Sequence, residues 1–113
     1  DAHACQGDGE LCGTAVEFSS VTTIKVDLIK GWTLDWPRLE TEDTIYGIGS
    51  ARPLEDATRI AYRELIRWME ADYGFDKWDA YMMLSQCGIV RLGNFVDPKY
   101  SVAAGIRKKF LVE

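Results

Sequence analysis

The sequence predicts an α+β fold in which antiparallel strands flank two consecutive helices. Apolar and polar residues alternate over residues 21–29, which is the period of a half-buried strand. Over residues 54–69 apolar residues recur at spacings of three and four, which is the period of an amphipathic helix. Strand-like runs return after residue 89. Separate groups of strands and helices are typical of α+β proteins, and we expect the strands to form a sandwich or barrel-like sheet.

A strand pair is predicted near the beginning of the chain. Residues 14–18 and 21–29 are rich in β-branched side chains, which favour strands. Only Ser19 and Ser20 lie between these runs, so the spacing predicts an antiparallel hairpin. Residues 32–38 are ambiguous.

A further strand is predicted over residues 44–49, followed by two helices at about 53–73 and 77–87. Gly74 is a natural end for the first helix, because glycine accepts the left-handed conformation of a C-terminal cap. Asp76 is suited to capping the second helix. We expect the large aromatic and sulfur-containing side chains of both helices to form the core: Trp68, Met69, Trp78, Tyr81, Met82 and Met83.

Strands are predicted again over residues 89–96 and 102–111, separated by the turn signal Asp97-Pro98. The chain has 113 residues, so we expect residues 1–113 to form a single domain, because domains commonly contain about 100–150 residues. No apolar run approaches the ~20 residues that cross a bilayer, and the sequence predicts no transmembrane segment.

The charge balance argues against two classes of partner. The chain has 13 basic and 18 acidic residues, which gives a net charge of −5. Domains that bind nucleic acids usually carry a basic surplus that neutralises phosphates. The acidic balance is also the wrong sign for an anionic membrane surface. We therefore expect neither a nucleic acid nor a membrane as partner.

The three cysteines, Cys5, Cys12 and Cys87, cannot all pair within one chain. An odd number without a disulfide-framework spacing favours a reducing compartment, and we expect a cytoplasmic protein. The simplest interpretation is that these cysteines serve as small apolar side chains that are buried. An alternative is that Cys5 or Cys12 is a nucleophile activated by His3.

The first residues contain the richest set of polar side chains. Asp1 and His3 are two residues apart, so on an extended segment they project to the same face. Asp8 and Glu10 lie in a glycine-rich turn that can fold their carboxylates toward that face. An imidazole with carboxylates is a partial shell for a zinc-type ion, which usually takes three protein ligands in a catalytic site. A solvent-exposed histidine and an ordinary turn explain the same residues.

Two further polar residues, Arg91 and Asn94, flank Gly93. They are suited either to reaching a pocket or to lying on a solvated strand face. The chain begins at Asp1 without an initiator methionine, and because such a dense motif is unusual at a terminus, we expect a piece of a longer protein.

Residues 1–17 follow the pattern DxHAxQGDGExCGTAxE, which closely resembles the signature block of the acetamidase/formamidase family. The resemblance continues in order and spacing through LEDA at residues 54–57, DAYMMLS at residues 79–85, VR at residues 90–91 and VDP at residues 96–98. The resemblance covers almost the whole chain, and the chain corresponds in it to the C-terminal half or a subunit of a longer family member.

The resemblance implies hydrolysis of short linear amides, such as formamide or acetamide, to a carboxylate and ammonia. It implies a divalent metal, expected to be zinc, with Asp1 and His3 as ligands. Glu10 and Asp8 are the implied catalytic carboxylates, Glu10 as ligand or general base and Asp8 as the group that orients the shell. Gln6 is the implied substrate contact. The expected partners are the N-terminal half of the same protein or a companion chain, in an assembly that forms a homo-oligomer.

Amide hydrolysis requires an activated water, a polarised carbonyl oxygen and a proton for the leaving amine. A bound metal supplies the first two by acting as a Lewis acid and lowering the pKa of water toward ~7. A nearby carboxylate serves the proton transfers, and the N–H groups of Gly7, Gly9 and Gly13 are candidate oxyanion donors. Two alternatives stay open: a non-catalytic packing or oligomerisation module, and a cysteine-nucleophile amidase.

Overall fold

Residues 2–111 are described by the computed structural model, and they fold into antiparallel strands and two consecutive helices. In chain order the elements are β1 (Ala2–Cys5), β2 (Val16–Phe18), β3 (Arg38–Glu40), β4 (Thr44–Ala51), α1 (Leu54–Tyr73), α2 (Lys77–Cys87), β5 (Ile89–Asn94), β6 (Tyr100–Arg107) and a 3₁₀ turn at Lys108–Phe110. The predicted α+β class is confirmed. Neither helix is both long and apolar enough to cross a membrane.

The strands form two separate sheets. Strands β1 and β2 make a two-stranded ribbon, and the other four make a sheet in the order β3-β4-β6-β5. Every neighbouring pair is antiparallel, and β4 pairs with β6 along its full length, from Thr44 opposite Arg107 to Ala51 opposite Tyr100. Within the described residues the sheets stay open and do not close into a barrel.

Helix α1 packs directly on β4 and β6 and forms the core with them. The largest fully buried apolar side chains of this layer are Ile45, Leu65, Met69, Val102 and Ile106. Gly47 and Gly49 of β4 face the backbone of α1, and a Cβ atom at either position would overlap with it. The absence of these two side chains lets the helix lie against the strand.

The predicted helix ends are confirmed. Helix α1 ends at Gly74, which has a left-handed φ of 70° and donates its N–H to the carbonyl of Met69. Helix α2 is capped by Asp76, whose carboxylate accepts a hydrogen bond from the Trp78 N–H at 2.8 Å. The last predicted strand is shorter than expected, because residues 108–110 turn into a 3₁₀ helix.

The predicted strand at residues 21–29 is wrong. These residues form neither strand nor helix, and β2 pairs with β1 instead of with them. All nine residues are exposed, and nothing in the described chain covers their apolar side chains. The radius of gyration is 15.4 Å, larger than the roughly 13 Å expected for a compact domain of about this size.

The predicted core is also partly wrong in α2. Trp68 and Met69 of α1 are buried as expected, and Met83 is half-buried. Three large side chains of α2 are exposed instead: Trp78, Tyr81 and Met82. The face of α2 that carries Ala80 and Leu84 is buried instead.

A buried ion pair joins β3 to α1. Arg38 Nε donates to Glu64 Oε1 at 2.8 Å, and their side chains are only 9% and 2% exposed. The guanidinium also lies over the rings of Trp32 and Trp68, 5.4 and 5.1 Å from their centroids. The guanidinium and the carboxylate therefore stabilise each other, because burying either charge without its partner would cost folding free energy.

Candidate functional site

The glycine-rich motif forms a loop, residues 6–13, that lies along strand β5. The N–H of Gly9 donates to the carbonyl of Leu92 at 2.9 Å, and the N–H of Phe95 donates to the carbonyl of Gly9 at 2.7 Å. These bonds connect residues that are more than 80 positions apart in the sequence. The loop is thereby attached to the edge of the four-stranded sheet.

Asp8 is held on β5 by a bidentate ion pair with Arg91. Arg91 Nε and Nη2 donate to the two carboxylate oxygens at 2.6 and 2.8 Å. These hydrogen bonds hold the pKa of the Asp8 carboxyl below its ordinary value of 3.8 and raise the pKa of Arg91. Both side chains are more than half exposed, so solvent screens the pair and its main effect is to fix the loop. This geometry favours a positioning role for Asp8, and its predicted catalytic role stays a prediction.

His3 lies on the β1–β2 ribbon, directly opposite Glu17. Its Nδ1 is 2.5 Å from the side-chain oxygen of Gln6, and its Nε2 is 3.8 Å from Glu17 Oε1. An amide oxygen only accepts hydrogen bonds, so this contact requires a proton on Nδ1. In the neutral ring the lone pair then lies on Nε2, facing Glu17.

Gln6 connects the ribbon to β5. Besides accepting from His3, its side-chain nitrogen donates to the carbonyl of Gly93 at 3.4 Å. A glutamine side chain has two N–H donors and two oxygen lone pairs. The predicted substrate contact at Gln6 therefore retains donor capacity in this geometry.

Glu10 has an unusual backbone conformation. With φ of 37°, it is the one non-glycine residue of the described chain with positive φ. Two successive turns impose this conformation, because its N–H donates to Gly7 and its carbonyl accepts from Gly13, both at 3.2 Å. Within residues 2–111 its carboxylate forms no hydrogen bond or ion pair. A strained residue with an unengaged carboxylate is a candidate for a functional role.

Two of the three predicted oxyanion donors are wrong. The N–H groups of Gly9 and Gly13 are already donated to Leu92 and Glu10 within the chain. Of these three glycines, only Gly7 has an N–H that donates no hydrogen bond within the described residues.

The predicted metal ligands are not assembled by the described residues. Asp1 lies outside residues 2–111, and within that range no group of three histidine, cysteine, aspartate or glutamate side chains is placed to hold an ion. His3 and Glu17 supply one pair, whereas a catalytic zinc usually takes three protein ligands. The metal ligands at Asp1 and His3 therefore stay a prediction.

The cysteines differ from the expectation of burial. Cys5 and Cys12 are exposed, and Cys87 is half-buried and donates to the carbonyl of Met83 at 3.2 Å. Over the described range neither exposed thiol hydrogen-bonds to His3, so the contact that would activate a nucleophilic cysteine is missing.

Sequence reasoning named Glu17 and Arg91 but did not pair either of them with its partner in the motif. Glu17 lies opposite His3 without any spacing that marks it, and the sequence around Arg91 suits a pocket and a solvated surface equally well. The side chain of Asn94 does not bond to the loop but donates to Ser101 Oγ at 3.2 Å on the neighbouring strand. Gly93 is not a signal for this contact, because a Cβ atom there would meet Ser101 of β6, and the bond from Gln6 goes to a backbone carbonyl that any residue has.

Residues 1–104 match the model of the Acetamidase/Formamidase family. A crystal structure of acetamidase from Yersinia enterocolitica is 72% identical, with a TM-score of 0.95 over 98% of this chain and 34% of that one. An acetamidase structure from Bacillus halodurans is 26% identical, with a TM-score of 0.86 over 96% of this chain and 37% of that one.

A structure of a predicted acetamidase/formamidase from Thermoanaerobacter tengcongensis shares the fold, with 23% identity and a TM-score of 0.77 over 96% of this chain and 36% of that one. No curated protein matches this chain. The chain spans about a third of the length of the solved structures that it resembles.

Proposed function

This chain belongs to the acetamidase/formamidase family, and on that premise we propose that it is the C-terminal part of an amide hydrolase. The complete enzyme would cleave the C–N bond of short linear amides and release ammonia. The observation that carries this proposal is the family match over residues 1–104, which includes the whole motif loop and its anchor on β5. The acetamidase relatives support amide hydrolysis at the level of the family.

In this proposal Glu10 is the general base. Its carboxylate is unengaged within residues 2–111 and lies in a loop whose position is fixed by the ion pair of Asp8 with Arg91. Glu10 takes a proton from the attacking water as the C–O bond forms, and returns it to the leaving nitrogen as the C–N bond breaks. Gln6 contacts the substrate, and the N–H of Gly7 donates to the developing oxyanion.

A divalent ion, expected to be zinc, is proposed only for the complete assembly. The described residues do not fit an ion by themselves, since they bring together no three ligands. Asp1 and His3 would contribute two, and a third would come from another segment. When bound, such an ion supplies Lewis acidity and an acidic water. The proposed roles of Glu10, Gln6 and Gly7 do not depend on it.

A further polypeptide segment is proposed to complete the site. Asp8 and Arg91 are more than half exposed, whereas amide hydrolysis benefits from a site that excludes water. The similar structures have about two-thirds of their length outside the match. We infer that this remaining part, in the same protein or in a companion chain, covers the loop, and that the assembly forms a homo-oligomer.

The experiment uses this chain co-expressed with the portion of the Yersinia enterocolitica acetamidase that it does not match. Ammonia release is measured with formamide and with acetamide. Replacing a general base is expected to lower the rate about 10²–10⁴-fold, so Glu10→Gln should show this loss. The matched control is Glu42→Gln, an exposed glutamate outside the loop. Full activity of Glu10→Gln would remove Glu10 from the mechanism.

The same assembly separates the other predicted roles. We expect the isolated 113-residue chain to release no ammonia, because its site is incomplete. His3→Ala should lose bound metal, measured by elemental analysis, together with turnover. Cys5→Ala and Cys12→Ala should retain turnover, and loss of activity in either would favour the thiol mechanism instead.

The alternative proposal is a non-catalytic packing module, and one observation favours it. A groove of about 700 Å³ lies between α1 and α2, away from the motif loop. Trp78 and Tyr81 line it although both are exposed, and Arg59, Arg63 and Arg67 lie along the α1 side. If the assembly forms but neither amide is hydrolysed, while Trp78→Ala changes its oligomeric state, this alternative is preferred.

A further inference from the structure

The segment comprising residues 21–29 exposes large apolar side chains to an extent that is unusual for a folded chain. Val21 is fully exposed and Val26 is 81% exposed. The others with at least 64% of their surface accessible are Ile24, Leu28 and Ile29. Contiguous exposed apolar patches mark surfaces that contact another protein or segment.

The backbone of segment 21–29 is also unpaired. Within residues 2–111 it forms no backbone hydrogen bond to another segment, and the N–H of Leu28 is bound only by the neighbouring carboxylate of Asp27, at 2.8 Å. The side chains nevertheless alternate as in a strand: Ile24, Val26 and Leu28 are apolar, whereas Lys25 and Asp27 are charged. The segment contains neither proline nor glycine, and nothing in it opposes a strand conformation.

The same path of the chain is found in a much longer protein. The acetamidase structure that is 72% identical superposes with a TM-score of 0.95 over 98% of this chain, which includes segment 21–29. About two-thirds of that longer chain lies outside the match. The larger protein therefore shares this backbone path and has additional polypeptide available to cover the segment.

We propose that segment 21–29 is completed as a β-strand by the remaining portion of the family fold, which contributes an unpaired strand edge above an apolar surface. Main-chain hydrogen bonds to this edge provide affinity, and the side chains of Ile24, Val26 and Leu28 fix the register. Lys25 and Asp27 then lie on the opposite face, together with Val21 and Ile29 at the two ends of the segment. This inference depends on the proposed function in one respect: it takes the partner of segment 21–29 to be the remaining portion of an amide hydrolase of this family.

The experiment again uses this chain co-expressed with the portion of the Yersinia enterocolitica acetamidase outside the match, purified through a tag on that portion. Amide hydrogen exchange of segment 21–29 is measured in the complex and in the isolated chain. A newly paired strand should exchange about tenfold or more slowly in the complex.

Proline variants separate strand pairing from side-chain contact. Successive N–H groups of a strand point to opposite edges, so of Val26→Pro and Asp27→Pro one removes a donor that faces the partner. That variant should lower the yield of complex about tenfold more than the alanine variant at the same position. Lys25→Ala is the control on the opposite face and should leave the yield unchanged. The thermal midpoint of the isolated chain should stay the same in all of them, because the segment is unpaired there.

The outcomes distinguish this inference from the proposed function. A complex with a protected segment and no ammonia release supports the strand and overturns the proposed function. The strand proposal is overturned if the complex is active while the amide hydrogens of segment 21–29 exchange as fast as in the isolated chain. It is also overturned if both proline variants give the same yield of complex as the alanine variants. Protection that arises in the isolated chain through dimerisation assigns the segment to a second copy and overturns the proposed partner. Failure to form a complex with a tagged portion that is itself folded, as measured by circular dichroism, overturns it too.

Discussion

Residues 38–111 and residues 2–34 contain similar side chains in opposite surroundings. In the first region Ile45 and Leu65 are completely buried between β4 and α1, whereas in the second Ile24 and Leu28 are about three-quarters exposed. Both regions show clear apolar periodicity in the sequence. The difference teaches that periodicity specifies which face of an element is apolar, while burial depends on which polypeptide is present to cover it.

The candidate site lies where these two regions meet. Its loop belongs to the exposed region, but its backbone is bonded to β5 of the buried one. The folded sheet therefore determines where Asp8 and Gly9 are held, although it does not enclose them. A site that is completed by another segment requires residues that are held in place but still accessible, and the residues of this loop meet both conditions.

The largest expected effect comes from the buried ion pair of the first region. Arg38→Ala leaves the Glu64 carboxylate buried without its main partner, and should cost about 3–5 kcal/mol of unfolding free energy. Chemical denaturation of the isolated chain measures it. Arg59→Ala, which breaks the exposed pair of Arg59 with Asp56, should cost only about 0–1 kcal/mol. Equal losses for the two variants would mean that Arg38 is not buried.

A direct comparison of the regions uses one residue type. Leu65→Ala should lower the unfolding free energy by about 2–5 kcal/mol, because it leaves a cavity in the core. Leu28→Ala should change it by no more than about 0.5 kcal/mol in the isolated chain. A comparable loss at Leu28 would show that segment 21–29 is packed after all.

A local effect of lower pH is expected where the loop of residues 6–13 meets β5. The pKa of Asp8 is lowered by Arg91, so the ion pair stabilises the folded loop above the ordinary carboxyl pKa of 3.8 and is lost as the pH falls through the lower folded value. The amide resonance of Gly9, which is bonded to Leu92, should shift in that range. In Asp8→Asn the pH-dependent shift should be absent, and a shift that persists would assign the titration to another group.

The smallest effect is expected at the exposed face of α2. Trp78→Ala should leave the unfolding free energy of the isolated chain within about 0.5 kcal/mol, because the side chain is 62% exposed and its ring lies near Lys77 and Tyr81 of the same helix. A thermal melt checks this. A large loss would place Trp78 in the core, as its sequence pattern indicates.

The helices and most strands were predictable because their signals are local. The end of α1 at Gly74 and the cap of α2 at Asp76 depend on a few adjacent residues. The exposure of Trp78 was not predictable, since an apolar helix face looks the same whether it meets this chain or another one.

The residues of the motif were predictable as a set, but their contacts were not. The pairing of Asp8 with Arg91 joins residues 83 positions apart and depends on how the loop is laid against β5. The positive φ of Glu10 follows from two consecutive turns rather than from its own preference, since glutamate has none of glycine's freedom. The spacing of residues along the sequence predicts neither the Asp8–Arg91 pair nor the positive φ of Glu10.

The unpaired backbone of residues 21–29 also has a practical consequence. Such exposed stretches are where proteases cut folded proteins, and a nick there would divide the chain into a short motif peptide and a folded body. The bonds of Gly9 with Leu92 and Phe95 and the exposed Asp8–Arg91 pair would bind the motif peptide to the body only weakly, so the peptide would exchange. A synthetic peptide carrying unnatural groups at His3 or Glu10 would then be exchangeable for the natural one without refolding the body.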